Sequence, residues 1–496
     1  MKKASKVFYI TFALVILTVA FGVIAPEHFE TVTGNIRSYI NTAFGWYYLL
    51  IMAILLILVV IIMVSPYGQI RLGKDSDRPE FSTFSWISML FSAGMGIGLV
   101  FYGASEPLSH FAVQTATTEL GSDAAFKEAL QRSYYHWGTH IWTMYGMVAL
   151  SLAFFQFRKG EPALISSTLK PIFGDKMNGP LGTFVDVLAV FATVFGVATS
   201  LGFGAAQING GIAYLFGVPQ EHWVQILIIG VVTLLFIASA WSGLNKGIKY
   251  LSNANMVLAL ILLGLVLVLG PTLLILNMFT ETFGEYIQNL ISLSFQSAPL
   301  DAENRNWLDS WTIFYWAWWL AWAPFVSMFI ARVSKGRTIR EFLAGVVLAP
   351  SIFAGIWYAT FGTTAINFQK SGVDLTVFPT EQTLFAMFSE LPFGIFMSII
   401  AIMLVTTFFI TSADSATFVL GMQSTHGSLL PSNQIKILWG VAQSTVAAIL
   451  LSVGGLTAVQ NTIIIAALPF SFVIILMMFA LFKALNLELQ LIKNKK

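Results

Sequence analysis

Trp311-Thr-Ile-Phe-Tyr-Trp-Ala-Trp-Trp-Leu-Ala-Trp-Ala-Pro-Phe-Val-Ser-Met-Phe329 runs 19 residues without a charge. A hydrocarbon core about 30 Å thick takes roughly 20 apolar residues to cross, so this stretch reads as a membrane helix. Within it Trp316, Trp319, Trp322, Phe325 and Phe329 recur at three- or four-residue spacing and share one face, with Trp318 beside them. The stripe from Trp316 to Phe329 extends roughly 20 Å at about 1.5 Å per residue. An interfacial aromatic belt sits at headgroup depth, which accounts for Trp311 but not for rings so deep. Indole faces are the best side-chain partners for a quaternary ammonium, which has a diffuse charge and no N–H to donate. The stripe therefore reads as a pathway for such a cation.

Similar apolar stretches recur along the chain. Twelve spans are expected: Val7 to Ala25, Phe44 to Val64, Phe84 to Glu106, Ser133 to Phe155, Gly182 to Phe216, Trp223 to Ser242, Leu251 to Leu276, Ser310 to Arg332, Phe342 to Ile366, Leu391 to Met422, Ile435 to Val453 and Asn461 to Leu481. With Met1 in the cytoplasm, 21 of the 26 Lys and Arg fall in cytoplasmic segments and 5 in outward ones. This satisfies the positive-inside rule and places both termini in the cytoplasm. The first span could also be a cleaved secretory signal, through Val23-Ile24-Ala25, but it is longer than the usual signal core.

The composition agrees. Of 496 residues 57% are hydrophobic and 10% charged, against about 25% charged in soluble domains, and mean hydropathy is +0.78. The chain has no cysteine, which excludes disulfides, thiolate metal sites and cysteine nucleophiles. No basic run points to nucleic acid, and no nucleophile and base pair points to an enzyme. One membrane domain is expected, with two peripheral helices in 1–83, repeats in 84–276 and 310–481, and a short cytoplasmic tail in 482–496. The segment 280–295 reads as an interfacial amphipathic helix, with Phe283, Tyr286, Ile287, Leu290, Ile291 and Leu293 mostly on one side.

Two spans have the makings of broken helices, which supply free backbone groups at the midplane of inverted-repeat transporters. The third contains Gly94, Gly96 and Gly98; the eighth contains Pro324. They lie five spans apart, as a five-plus-five repeat of spans three to seven and eight to twelve requires. Glycines that merely let helices pack closely are the alternative.

Few buried acids are available. Asp186 and Glu106 lie near span ends, and Asp414 alone sits well inside one, where it is either a cation site or proton relay or is satisfied by neighbouring hydroxyls and backbone. A second aromatic group, Trp137, Trp142 and Tyr145, lies on the fourth span. On the tenth, Thr411 and Ser412 follow Thr406 and Thr407, so hydroxyls there either serve a small cation or bond back to their own helix.

Ala93-Gly-Met-Gly-Ile-Gly98, Trp137-Gly-Thr-His-Ile-Trp142, Trp316-Ala-Trp-Trp-Leu-Ala-Trp322 with Pro324-Phe325, and Phe408-Phe-Ile-Thr-Ser-Ala-Asp414 resemble the betaine/choline/carnitine transporter family, over nearly the whole chain. The resemblance implies an all-α, twelve-helix membrane protein with a five-plus-five inverted-repeat, LeuT-like core, commonly a trimer. It implies an aromatic box for a trimethylammonium group at Trp137, Trp142, Tyr145 and Trp319. Trp316 and Trp318 match outward gate aromatics, Trp322 and Phe325 match the inward route, and the substrate carboxylate is expected near the glycine stretch and Ser200. The main sodium site maps onto the carbonyls of Ser92, Met95 and Phe408 and the hydroxyls of Thr411 and Ser412. A second sodium site uses two threonines on span five; Thr193 matches the first, but Val197 has no oxygen at the other. The tail is short, so osmotic activation through a long charged terminus is not expected.

The function these readings lead to is uptake of a quaternary-ammonium solute, glycine betaine foremost, across the cell membrane by sodium symport with alternating access. Sodium-independent or proton-coupled transport of choline or carnitine is the alternative.

Overall fold

The computed structural model describes residues 4–242 and 247–494. Among the described residues every regular element is helical, and the only β contact is an isolated Arg71–Thr338 bridge. In chain order the helices are α1 (Lys6–Ile24), α2 (Pro26–Val64), α3 (Thr83–Gly94), α4 (Gly96–Tyr102), α5 (Ser105–Ala112), α6 (Asp123–Trp137), α7 (Thr139–Ala153), the single turn α8 (Lys170–Phe173), α9 (Pro180–Phe216), α10 (His222–Ser242), α11 (Gly247–Leu269), α12 (Thr272–Phe295), α13 (Ala302–Ser310), α14 (Thr312–Val333), α15 (Ile339–Lys370), α16 (Thr380–Ser389), α17 (Gly394–Gln423) and α18 (Asn433–Asn494). Nine of the described helices are long and apolar enough to cross a membrane, or ten if a bent pair is one span. The fourth expected span is divided between α6 and α7, and the eleventh and twelfth lie on either side of non-helical Gly454 and Gly455 within α18.

Helix packing repeats at an offset of five spans. α3 and α4 pack on α17 as α14 packs on α9, and α3 meets α15 as α14 meets α7. Two five-span repeats related by a pseudo-twofold axis produce this reciprocity. The tryptophan-rich α14 is at the centre, and its apolar window is 100% buried by its neighbours.

One expected break is present and one is not. The α3 and α4 axes meet at 67°, and Gly96 has φ +45, a left-handed conformation that glycine adopts without a Cβ clash. Pro324 does not break α14, which continues from Thr312 to Val333. Proline removes one helical N–H, and here tight packing on every side of α14 holds the helix together around it. The second interruption falls instead at Gly138 (φ −99, ψ −129), between α6 and α7. Trp137 and Trp142 lie on either side of it, on α6 and α7.

Two boundaries also differ. The seventh span ends at Leu269, and after Gly270 and Pro271 the 24-residue α12 begins at Thr272. On α12, Tyr286 and Leu293 are buried, whereas Ile287 and Ile291 are exposed: the inner face is set by packing on α6 and α15. The segment expected as a tail continues α18, where Glu488 accepts an Arg158 N–H at 2.9 Å.

Candidate functional site

The broken third span puts its glycines against the residues singled out from the sequence. A Cβ at Gly94 would lie 2.4 Å from the Trp142 ring, and one at Gly98 would lie 2.5 Å from Trp137 and 3.1 Å from Trp318. At Gly96 it would lie 3.3 Å from Ser412 Oγ. These glycines do permit close packing, as the simpler reading held. Their partners, however, are the tryptophans expected to form or border a cage, Trp142, Trp137 and Trp318, on one side and an expected ion ligand, Ser412, on the other.

The aromatic residues form two groups, one running through Trp137, Trp319, Trp318, Trp322 and Phe325 and the other made of Trp142 and Tyr145. Trp137 meets Trp319 edge to face at 4.9 Å, and Trp319 stacks on Trp318 at 4.6 Å and 13°. Trp142 packs on Tyr145 at 5.8 Å. Deeper along α14, Trp322 meets Phe325 at 5.6 Å. All of these rings are at most 2% exposed. Trp318, read as flanking the stripe, also touches Tyr102 and Phe203 and is in the middle of the cluster. Trp316 turns toward α6 and α7, stacking on His140 at 5.6 Å and meeting Tyr135 at 4.9 Å. Trp311, read as a belt residue, is half-buried against His110 at 4.5 Å.

Three indoles are anchored through their N–H groups. Trp137 donates to Glu106 Oε2 (2.7 Å), Trp319 to the His136 carbonyl (3.0 Å) and Trp322 to the Gly196 carbonyl (2.6 Å). By contrast Trp142 Nε1, Trp316 Nε1, Trp318 Nε1, Tyr145 Oη, Ser200 Oγ and Ser412 Oγ are buried without a hydrogen-bond partner. Buried polar atoms are normally satisfied.

At the expected ion site, Ser92 and Met95 flank the end of α3, where the last carbonyls have no helical partner of their own. Thr411 Oγ1 donates back to the carbonyls of Thr407 (3.0 Å) and Phe408 (3.1 Å). Asn255 on α11 brings its amide to 3.2 Å from Thr411 Oγ1 and 3.4 Å from Ser92 Oγ, and its Oδ1 has no partner. On α9, Thr193 bonds back to Ala189 at 2.8 Å and Val197 is buried.

The acids separate clearly. Asp186 binds the backbone N–H (2.9 Å) and hydroxyl (2.7 Å) of Ser166, and Asp414 accepts the Ser239 hydroxyl at 2.6 Å. Glu106, set aside in the sequence as a span-end residue, is fully buried beside Trp137. Sequence signals for it existed: His110 lies one turn on, and His136 directly precedes Trp137. Asn255 was likewise passed over, although an amide inside an apolar span is costly to leave unpaired.

A bundle of membrane helices that closes on a deep, charge-poor aromatic cluster around one broken helix has the architecture of a multi-pass transporter. Residues 6–490 match the BCCT betaine/carnitine/choline family transporters, and the chain belongs to that family. It is 53% identical over 495 residues to the glycine betaine transporter OpuD of Bacillus subtilis (strain 168), covering 100% of this chain and 97% of that protein. A probable glycine betaine transporter of Desulfitobacterium hafniense (strain Y51) is 42% identical, with 98% of each chain covered. An ectoine/hydroxyectoine transporter of Virgibacillus pantothenticus is also 42% identical, over 95% of this chain and 94% of that one.

Proposed function

We propose that this transporter takes up a trimethylammonium solute, glycine betaine foremost, by sodium symport with alternating access. The observation that carries the reading is the double engagement of the broken third span: Gly94 and Gly98 abut Trp142, Trp137 and Trp318, while Gly96 abuts Ser412. One element thus touches both the cage and the ion ligands, so a cation that orders the break also shapes the cage. In the cage, Trp137, Trp142, Tyr145 and Trp319 would hold the ammonium, each desolvated indole contributing up to about 2 kcal/mol. Ser200 would meet the carboxylate, on the α9 face between Gly196 and Gly204. Carbonyls of Ser92, Met95 and Phe408 with Thr411 and Ser412 would hold sodium. Thr193 without an oxygen at Val197 offers no complete second site.

The first repeat is assigned from residue 84 to Leu269, where the seventh span ends, and the second to 310–481, with both termini cytoplasmic in the cell membrane and a homotrimer as the assembly. The names of the betaine-transporting relatives support the solute, and the ectoine relative makes solute choice the sharper question. Labelled betaine should accumulate in proteoliposomes only under an inward sodium gradient, and unlabelled ectoine should compete weakly. Equal uptake in potassium would move the reading to sodium-independent or proton-coupled transport of choline or carnitine.

A further inference from the structure

Glu106, on α5, is 0% exposed and lies outside the set of groups expected to touch solute or ion. Its Oε2 accepts from Trp137 Nε1 at 2.7 Å and from Tyr315 Oη at 2.5 Å. Its Oε1 faces His136 Nδ1 at 2.7 Å and His110 Nε2 at 3.4 Å. An ionised carboxylate accepts at about four lone-pair sites, and these partners fill them. With Nδ1–H given to Glu106, His136 Nε2 is left to accept the Thr312 hydroxyl at 2.9 Å, so both ring nitrogens are committed.

The same His136 offers its backbone carbonyl to Trp319 Nε1 at 3.0 Å. Trp137 and Trp319, whose rings meet at 4.9 Å, are therefore both tied through their N–H groups to one Glu106–His136 unit. We propose that Glu106 is a positioning residue for the cage: its carboxylate sets the plane of the Trp137 indole and, through His136, the seat of Trp319. An indole that donates to an anion also gains electron density on its face, which strengthens its attraction for a cation. The cage thereby gains from a hydrogen-bonded carboxyl group that never touches the solute and never has to be stripped from it at release.

A metal centre is the competing use of this cluster, since Glu106, His110 and His136 present ligand atoms within 4.8 Å of one another. Tetrahedral ligands at zinc distances stand about 3.3 Å apart. The 2.7 Å between His136 Nδ1 and Glu106 Oε1 is instead a hydrogen bond, and Oε2 is already occupied by Trp137 and Tyr315.

The inference rests on the cage reading above, and the test separates the two. In proteoliposomes, wild-type betaine uptake decides the cage reading. Glu106→Gln should raise the betaine KM about tenfold, the scale of one weakened cation–π face, with the maximal rate within about twofold. In a Trp137→Phe background, which keeps a ring but has no N–H, Glu106→Gln should add clearly less than its tenfold effect in wild type, because the Trp137 arm is already lost and only the His136–Trp319 arm remains. Multiplying effects, or an unchanged KM, would overturn the proposal. Independently of any solute, the ¹⁹F resonance of 5-fluorotryptophan at Trp137 should move in Glu106→Gln while that of exposed Trp241 does not; a stationary Trp137 signal overturns it as well. If Glu106→Gln does not assemble, Tyr315→Phe and Trp137→Phe each remove one donor and leave the carboxylate, and KM values unchanged in both would be equally decisive against it.

Discussion

Trp322 on α14 donates its indole N–H to the carbonyl of Gly196 on α9 over 2.6 Å. The approach is close because Gly196 has no side chain: a Cβ there would lie 2.8 Å from Trp322 Cδ1 and 3.2 Å from the Ala321 carbonyl. The contact ties α14 to α9 at Trp322, a residue proposed to line the inward route. Gly196→Ala should push the indole aside and cost the hydrogen bond, lowering maximal uptake about tenfold, equivalent to about 1.4 kcal/mol. Initial-rate uptake at saturating solute checks this, with a solute-binding titration expected to change less.

Trp319 and Trp316 lie three positions apart on α14 but have different neighbours. Trp319 stacks on Trp318 and faces Trp137; Trp316 stacks on His140. Trp319→Leu removes a cage face and should weaken betaine binding at least tenfold, from the ~2 kcal/mol that a desolvated indole contributes. Trp316→Leu should change affinity less than about threefold and act mainly on the rate, since its ring packs on His140 and Tyr135. Equal loss of affinity in both variants would place Trp316 in the cage itself.

The two hydroxyls of the tenth span have unequal prospects as sodium ligands. Ser412 Oγ is buried, free of partners and beside Gly96, whereas Thr411 Oγ1 already donates to the Phe408 carbonyl and receives the Asn255 amide. Ser412→Ala should therefore raise the sodium concentration for half-maximal uptake several-fold, and Ser412→Ala with Thr411→Ala by about tenfold, the scale of one lost ligand hydrogen bond to a charged group. A sodium titration unaffected by the double substitution would return both hydroxyls to a purely helical role.

The sequence reveals features that depend on local repetition. Apolar runs mark the spans, three glycines mark the break at Gly96, and three- and four-residue spacing gathers Trp319, Trp322 and Phe325. Features that depend on tertiary packing were much less legible. Pro324 carries a strong local signal for a break, yet the neighbours that bury α14 hold the helix through it. Gly138 carries a weak one and interrupts its span. Ile287 and Ile291 fit an apolar face by spacing, but α6 and α15 select the adjacent one. Glu106 looked peripheral because its position at the end of a span was visible and its four partners, contributed by α5, α6 and α14, were not.

Asp414 is the one acid well inside a span, and its surroundings argue for a structural role. Its carboxylate accepts the Ser239 hydroxyl at 2.6 Å, joining α17 to α10, and the Lys436 ammonium, held on the Ala240 carbonyl at 2.5 Å, adds an opposite charge nearby. A carboxylate so engaged is suited to fixing two helices beside the ion ligands. Asp414→Asn keeps the shape and an acceptor but removes the charge, and Ser239→Ala removes the donor. Each should lower the stability of the detergent-solubilised protein by about 1–2 kcal/mol, the range for a buried hydrogen bond, while the sodium dependence of uptake stays within about twofold of wild type. Thermal unfolding and sodium titration of the same preparations check both halves. A normal melting curve with lost sodium dependence would instead make Asp414 part of the ion pathway, because a charge used in transport can be neutralised without loosening the helices around it.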